Sequence, residues 1–342
     1  MSHTNGLDKP SDYFNTKLYT GNGSTQSITG VNFQPDLSWI KSRTTTDTNA
    51  WYDAVRGATK RIKSNSTDAE TTQSTALTSF DSDGFSIGAG GDVNTNSANY
   101  VSWNWLGDNG TASNTDGSIT STVSANTTSG FSIVSYTGTG ANATIGHGLA
   151  VAPKMVIAKK RSGTGAWGVY HEGIGNPANA VSLENASGAR SEPAYWNSTS
   201  PTSSVFSVGT SGDTNSSGGT YIAYCFAEVK GFSKFGSYVG NGSTDGTFIY
   251  TGFKPAFFIC KRTSDIDDWF VFDDKRQGYN VSNNELRPNT TAVEGTTDRI
   301  DILSNGIKHR QGGSAQNRSG DTYIYMAFAE EPLVGDNPCT AR

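Results

Sequence analysis

The sequence predicts an all-β fold: tandem antiparallel β-sandwich or jelly-roll modules, three related repeats of about 100 residues each. Three observations predict it. A stretch near the end of each module returns: Tyr221–Glu228 reappears as Tyr323–Glu330 and, more distantly, as Tyr100–Leu106. Each copy alternates with period two, so that Val101/Trp103/Trp105, Ile222/Tyr224/Phe226 or Ile324/Met326/Phe328 share one face and smaller residues the other. The composition adds 40 glycines and only 17% charged residues, against about 25% in an average protein, which leaves too little Glu and Lys for long amphipathic helices. The repeat is far longer than solenoid units of about 20–50 residues, so three globular modules are expected.

The elements follow in order. Residues 1–17 read as an extended docking arm, with Pro10 and the pair Tyr13-Phe14. Module one (18–107) opens on Tyr19-Thr20-Gly21-Asn22-Gly23. The same opening returns at Tyr136-Thr137-Gly138-Thr139-Gly140 and at Tyr238-Val239-Gly240-Asn241-Gly242, a strand end followed by a tight reversal that uses positive φ. A proline (Pro35, Pro153, Pro255) then precedes a second strand, where it removes no ladder hydrogen bond. Each of these strands ends at a lysine (Lys41, Lys159, Lys261) with Arg43, Arg161 or Arg262 close behind. A tryptophan (Trp51, Trp167, Trp269) marks a third strand, after which the copies diverge through residues 56–79, 171–203 and 273–299. Variable loops on a repeated scaffold are where binding function usually lives. Asp83-Gly84 and Asn305-Gly306, set between apolar residues, are hairpin signals, and the bulky strand closes each module. Residues 108–117 read as a linker and 119–134 as an extra hairpin in module two (118–232); module three spans 233–334 and a short tail 335–342.

Several function classes are not indicated. The net charge is −5 without a basic run, so nothing points to nucleic acid or an anionic membrane. No run of 18 apolar residues predicts a transmembrane span, and Met1–Gly6 lacks the features of a secretory signal. Cys225 and Cys260 read as small buried strand residues and Cys339 as an exposed tail residue, with no disulfide framework. The four histidines lack zinc spacing, and no cofactor is expected. Gly163–Gly168 matches a dinucleotide pattern but joins two strands. Asp265, Asp267 and Asp268 sit in the densest acidic cluster and form a weak calcium candidate beside the simpler reading of a solvated loop. Glu172, Glu184, Glu192 and Glu228 are available for glycoside hydrolysis, and nothing singles out a pair. As binding candidates we take Trp51, Trp167 and Trp269, whose first reading is a core role and whose alternative is sugar stacking, and the exposed-looking Tyr195-Trp196.

Several stretches together resemble a module of marine bacteriophage structural proteins. They are Tyr19–Ser24, Phe33–Lys41, Val55–Ala58, Phe80–Phe85, Asp116–Ser124, Gly146–Leu149 and Met326–Pro332. That module is a domain of unknown function similar to concanavalin-like or SPRY-like sandwiches and is found in tail-fibre and other virion proteins; the resemblance covers roughly residues 10–342. It implies a non-enzymatic virion component assembled in the host cytoplasm, a tail fibre or receptor-binding protein whose loops meet a host surface glycan or protein. The alternatives are a purely structural capsid-decoration or tail-adaptor role and, third, a glycan depolymerase. The expected partners are other virion proteins, the host receptor and further copies of the chain, with a trimer implied by the setting of the family.

Overall fold

A strand with bulk on one face and small residues on the other needs one face removed from water and the other closely covered. In the computed structural model, which describes residues 7, 9–277, 279–297, 299–313 and 315–332, both faces of the closing strands are buried over Tyr100–Trp105, Tyr221–Phe226 and Tyr323–Ala329. The closing strands are Asn99–Trp105, Thr220–Phe226 and Thr322–Pro332. Each lies between its opening strand (Phe14–Thr20, Phe131–Thr137, Ser233–Val239) and its proline strand (Leu37–Ser42, Met155–Lys160, Phe253–Arg262) and is antiparallel to both. The tryptophan strands Ala50–Asp53, Trp167–His171 and Trp269–Asp273 come next. The order opening–closing–proline–tryptophan therefore occurs in three large sheets of six, eight and four strands.

The bulky faces of these three sheets do not make three cores. They meet in one, so the expected separate globular bodies are replaced by a single packed unit. Trp105, Phe226 and Phe328 occupy the same place on the three closing strands, and their rings touch pairwise at centroid distances of 6.2, 5.7 and 6.0 Å. Trp103, Tyr224 and Met326 form the next layer, then Val101, Ile222 and Ile324. Three sheets thus face a common axis like the sides of a prism. The reason is volume: 34% hydrophobic residues, concentrated in aromatics, fill one large core more economically than three small ones.

The small faces are covered by three smaller antiparallel sheets, which completes the all-β sandwich arrangement. These are Gln26–Thr29 with Gly84–Ile87 and Leu77–Asp81, Ala143–Gly146 with Val205–Val208, and Phe248–Tyr250 with Gly306–His309 and Ile300–Leu303. Each small sheet packs over its own apolar cluster. Both Asp/Asn-Gly hairpins are present, closing at Asp81–Gly84 and Leu303–Gly306. The expected hairpin of module two pairs Asn126 with Phe131.

Three sequence expectations shift. The opening strand begins at Phe14, inside the expected arm, because Phe14 and Thr16 face inward and Phe14 stacks on Phe328 at 5.2 Å; residues 1–6 lie outside the described residues. The expected linker is partly a strand, since Ala112–Asn114 pairs with Ser121–Val123. The backbone N–H groups of Gly107 and Asn109 donate to the buried Asp36 carboxylate. Pro255 lies within its strand at a break in register instead of before it, the other place where a missing donor is tolerated.

One recurrent lock joins opening loop to closing strand. Asn94, Asn215 and Asn317, each fully buried, stand six residues ahead of Tyr100, Tyr221 and Tyr323. The Oδ1 atoms accept from the amides of Asn22, Thr139 and Asn241, while the Nδ2 atoms donate to loop carbonyls such as those of Ser24, Ala141 and Ser243. Asn215→Ala removes the partner of the Thr139 amide, of the Ala141 carbonyl and of the buried Gly209 carbonyl, and a loss of about 1–3 kcal/mol is expected in a denaturant titration.

Candidate functional site

The aromatic residues proposed to bind are buried. Trp51, Trp167 and Trp269 are at most 1% exposed and belong to the common core. Tyr195 and Trp196, read as exposed, form one helical turn (Pro193–Trp196) whose rings point inward. Trp196 packs edge-on against Tyr170 and Phe206, and Tyr195 donates its hydroxyl proton to Asp213 at 2.7 Å. Local polarity hid this, because Pro193 and the Asn197 left-handed cap turn the pair back under the sheet. None of these five residues offers a surface for a ligand.

The variable loops are also occupied. Each reaches across to the next large sheet. From the first, the amide of Glu70 donates to the Arg161 carbonyl, its carboxylate pairs with Arg161 at 2.8 Å, and the carbonyl of Lys63 accepts from Trp167 Nε1. From the second, the amide of Ala189 donates to the Thr263 carbonyl, and the carbonyl of Ser182 accepts from Trp269 Nε1. From the third, the amide of Glu294 donates to the Arg43 carbonyl and its carboxylate takes a bidentate pair from Arg43, both bonds at 2.9 Å. The three segments are clasps that close a ring, the last returning to the first.

Beneath the clasps lie two matching buried ion pairs. Asp53 and Arg56, both with fully buried side chains, pair at 2.5 Å, and Asp53 Oδ2 also accepts from Tyr224 of the second sheet at 2.7 Å. Asp273 and Arg276 pair at 2.6 Å, and Asp273 Oδ2 accepts from Trp103 Nε1 of the first sheet at 3.0 Å. In the second sheet the corresponding place holds His171. Its Nδ1 accepts from the Gly173 amide, which leaves Nε2 to donate to the Tyr325 carbonyl at 3.0 Å. Burial pushes the His171 imidazole down to about 4, so it stays neutral at ordinary pH.

The recurrent lysines are buried as well, and backbone carbonyls receive them: Lys41 donates to Asp47, Lys159 to Thr67 and Lys160, and Lys261 to Ala186 and Arg262. Burial lowers all three to about 8 from 10.5. A depressed lysine gives stability that is complete above the unfolded value and lost as pH falls through the folded one. Stability is therefore expected to rise from pH 8 toward pH 10, by up to roughly 3 kcal/mol per lysine. Above pH 10 the direction reverses, because burial holds tyrosines such as Tyr19, Tyr136 and Tyr224 protonated in the folded chain while the unfolded chain ionises. Thermal melts across pH 7–11 should show a maximum near 10; a flat profile would mean that the lysines are hydrated.

Among the described residues no three His, Cys, Asp or Glu side chains converge as for a metal. The acidic cluster is spent on other partners: Asp265 pairs with Arg262, Asp268 with Arg287 and the Asn289 amide, and Asp267 Oδ1 accepts the Asp268 N–H. The glutamates are likewise apart. Glu172 pairs with Lys154, Glu192 with Arg190 and Glu228 with Lys234, while Glu184 accepts from the Trp167 amide. A cleft of about 120 Å³ beside Tyr170 is walled by prolines and holds the Lys154–Glu172 pair. Cys225 and Cys260 are buried as expected; Cys339 lies outside the described residues.

What remains is the outward face of the small sheets. In the first, Ser27 and Thr29 flank the buried Ile28, and the Ser27 and Ser86 hydroxyls are 3.0 Å apart. In the second, Thr144 and Gly146 flank Ile145. In the third, Phe248 and Tyr250 flank Ile249 and are 42% and 57% exposed. Seven of the eight exposed large apolar residues among those described fall between Val239 and Val293. The periodicity of this short strand, Phe-Ile-Tyr, carried the signal, but a sequence of alternating aromatics gives no hint of which face is wet.

A closed all-β scaffold of clasped sheets with one aromatic outer face defines the class. Residues 9–332 match the model of DUF7483, a domain of unknown function, and the chain belongs to that family. Among curated proteins none matches the chain.

Proposed function

We propose that the protein is a non-enzymatic bacteriophage virion component, a tail-fibre or receptor-binding protein built from three related concanavalin-like modules. The observation that carries the receptor-binding reading is the exposed aromatic pair Phe248/Tyr250 at a position where the two other small sheets carry hydroxyl residues or glycine. Exposed aromatic side chains grouped on one face are what an interaction site presents, and this pair lies in the stretch that holds seven of the eight exposed large apolar residues among those described. The resemblance of the sequence to virion proteins supplies the setting, and a tightly clasped core suits a protein that must persist outside the cell. The purely structural reading, capsid decoration or tail adaptor, is favoured by one observation: the variable loops are consumed in contacts within the chain. Binding of purified protein to host cells, with free host polysaccharide as competitor, tests the first reading. Saturable and competed binding is expected; a folded protein that binds virions but no cells would move it to the second.

A further inference from the structure

We propose that the cleft beside Arg299 and Arg310, at the end of the third small sheet away from its hairpin turn, is a site for a uronic-acid residue of a polysaccharide; this rests on the receptor-binding reading above. The three small sheets differ at this place. The residues that follow Gly84–Ile87, Val205–Val208 and Gly306–His309 are Gly88, Gly209 and Arg310, and their amides donate to the carbonyls of Ala76, Tyr195 and Arg299. The first two pairs are buried. A Cβ at Gly88 or Gly209 would stand 2.6 or 2.3 Å from the carbonyl oxygen of Thr75 or Ala194, so neither sheet admits a side chain there. The third sheet carries arginine on both strands, and both arginines are exposed. Ile300 faces His309, which sets Arg299 and Arg310 opposite one another. Like charges directly opposed destabilise a strand pair, a cost the first two sheets avoid. The arginines border an open cleft of about 410 Å³, walled otherwise by Thr244, Thr296, Thr297, Gln311 and Gly312.

Charge and lining select the occupant. Arg310 pairs with Asp301 at 3.2 Å and Lys308 with Asp245 at 2.8 Å, whereas Arg299 has no carboxylate partner among the described residues. Three cations against two carboxylates leave one positive charge, on a chain whose net charge is −5. A guanidinium holds a carboxylate through two parallel N–H···O bonds, and one carboxylate balances the local excess. No aliphatic or aromatic side chain lines the cleft, so the rest of the ligand is hydrophilic. The threonine hydroxyls offer donors and acceptors to sugar hydroxyls, and the buried Gln311 Oε1 accepts no hydrogen bond among the described residues. Size favours a saccharide over a free anion, since at roughly 30 Å³ per water the cleft exceeds what one carboxylate fills. Nucleic acid requires a basic stripe, an anionic membrane a cluster of about 4–8 Lys or Arg, and an acidic protein an apolar anchor. Register also links the cleft to the receptor-binding reading. Lys308 stands opposite both Asp301 and Phe248, and Ile300 and Ile302 point inward, so the arginines share the outward face of Phe248 and Tyr250.

The test uses the full chain as wild type, Arg299→Gln, Arg299→Lys and, for the same loss of charge at the exposed turn between modules two and three, Lys230→Gln. Each is titrated calorimetrically with a galacturonate trisaccharide, the matching galactose trisaccharide, a triglutamate peptide and inorganic phosphate, then melted and applied to intact host cells. Wild type is expected to prefer galacturonate over galactose by at least about ten-fold, Arg299→Gln to lose that preference and Arg299→Lys to keep part of it. The melting temperature of Arg299→Gln should hold or rise, because the opposed charge is gone; a fall would mean that Arg299 serves the fold, and overturns the site. Four other results overturn it: no preference for galacturonate, equal binding by Arg299→Gln, an equal loss in Lys230→Gln, or triglutamate or phosphate bound through Arg299 as tightly as the saccharide. If wild type and Arg299→Gln adhere equally to cells, the receptor-binding reading survives and this site falls as its contact. If wild type binds galacturonate through Arg299 but adheres to no cell, the site stands and that reading falls.

Discussion

Phe328→Ala is expected to destabilise the whole chain by about 3–5 kcal/mol, the usual loss for a large aromatic removed from a core, and to do so in one transition. Phe328 touches Phe14 and Trp105 of the first large sheet, Phe226 of the second, Phe235 and Phe257 of its own, and Phe232 in the turn between the second and third. No single sheet pair can unfold without exposing that ring. Guanidinium titration followed by tryptophan fluorescence, whose reporters sit mainly in the first two large sheets, and by circular dichroism should give coincident curves shifted together. Separable transitions, with the tryptophan signal unmoved, would show that the sheets fold as independent bodies.

Asp53→Ala should cost a comparable amount, about 3–5 kcal/mol, for a different reason. The Arg56 guanidinium then keeps its contacts with the carbonyls of Trp51 and Lys60 but loses the buried carboxylate that balances it, and Tyr224 loses its acceptor. Glu70, at 3.3 Å from Arg56, is shared with Arg161 and compensates only in part. Replacing both partners, Asp53→Leu with Arg56→Met, should recover most of the loss, because two apolar side chains leave no uncompensated charge. Chemical denaturation of the single and double variants measures this; a double variant as weak as Asp53→Ala would mean that the pair sets geometry and does more than balance charge.

Much of the fold was legible because its signals are periodic. The closing strands announced their two faces, each proline stands two residues ahead of an equivalent strand position (Leu37, Met155, Phe257), and the Asp83-Gly84 and Asn305-Gly306 turns have one economical conformation. Only Trp167 and Trp269 share a place, opposite Lys159 and Lys261, while Trp51 stands opposite Trp39. The buried asparagines were equally readable from their constant distance to the closing tyrosine and were missed because Asn is common throughout. What alternation cannot reveal is where a bulky face goes. It states that Trp105 or Phe226 is buried, and a private core and a shared one have the same pattern. The site was misjudged for a related reason: Tyr195-Trp196 lies in a polar stretch, yet a left-handed cap folds it inward, and the polar loops expected to reach a receptor hold neighbouring sheets.

The clasps have a consequence for how the molecule withstands damage. Because the third returns to the first through Glu294 and Arg43, and Asn49 also donates to the carbonyls of Pro288 and Thr290, covalent continuity is redundant at the joints between sheets. A protease that cut between 108 and 111 would produce two pieces still interlocked by a common core, and they would part only on complete denaturation. Nicked protein should therefore run as one species on a native gel and as two after boiling in detergent. For a chain that meets a protease, that turns a severed backbone from a loss of the protein into a silent event.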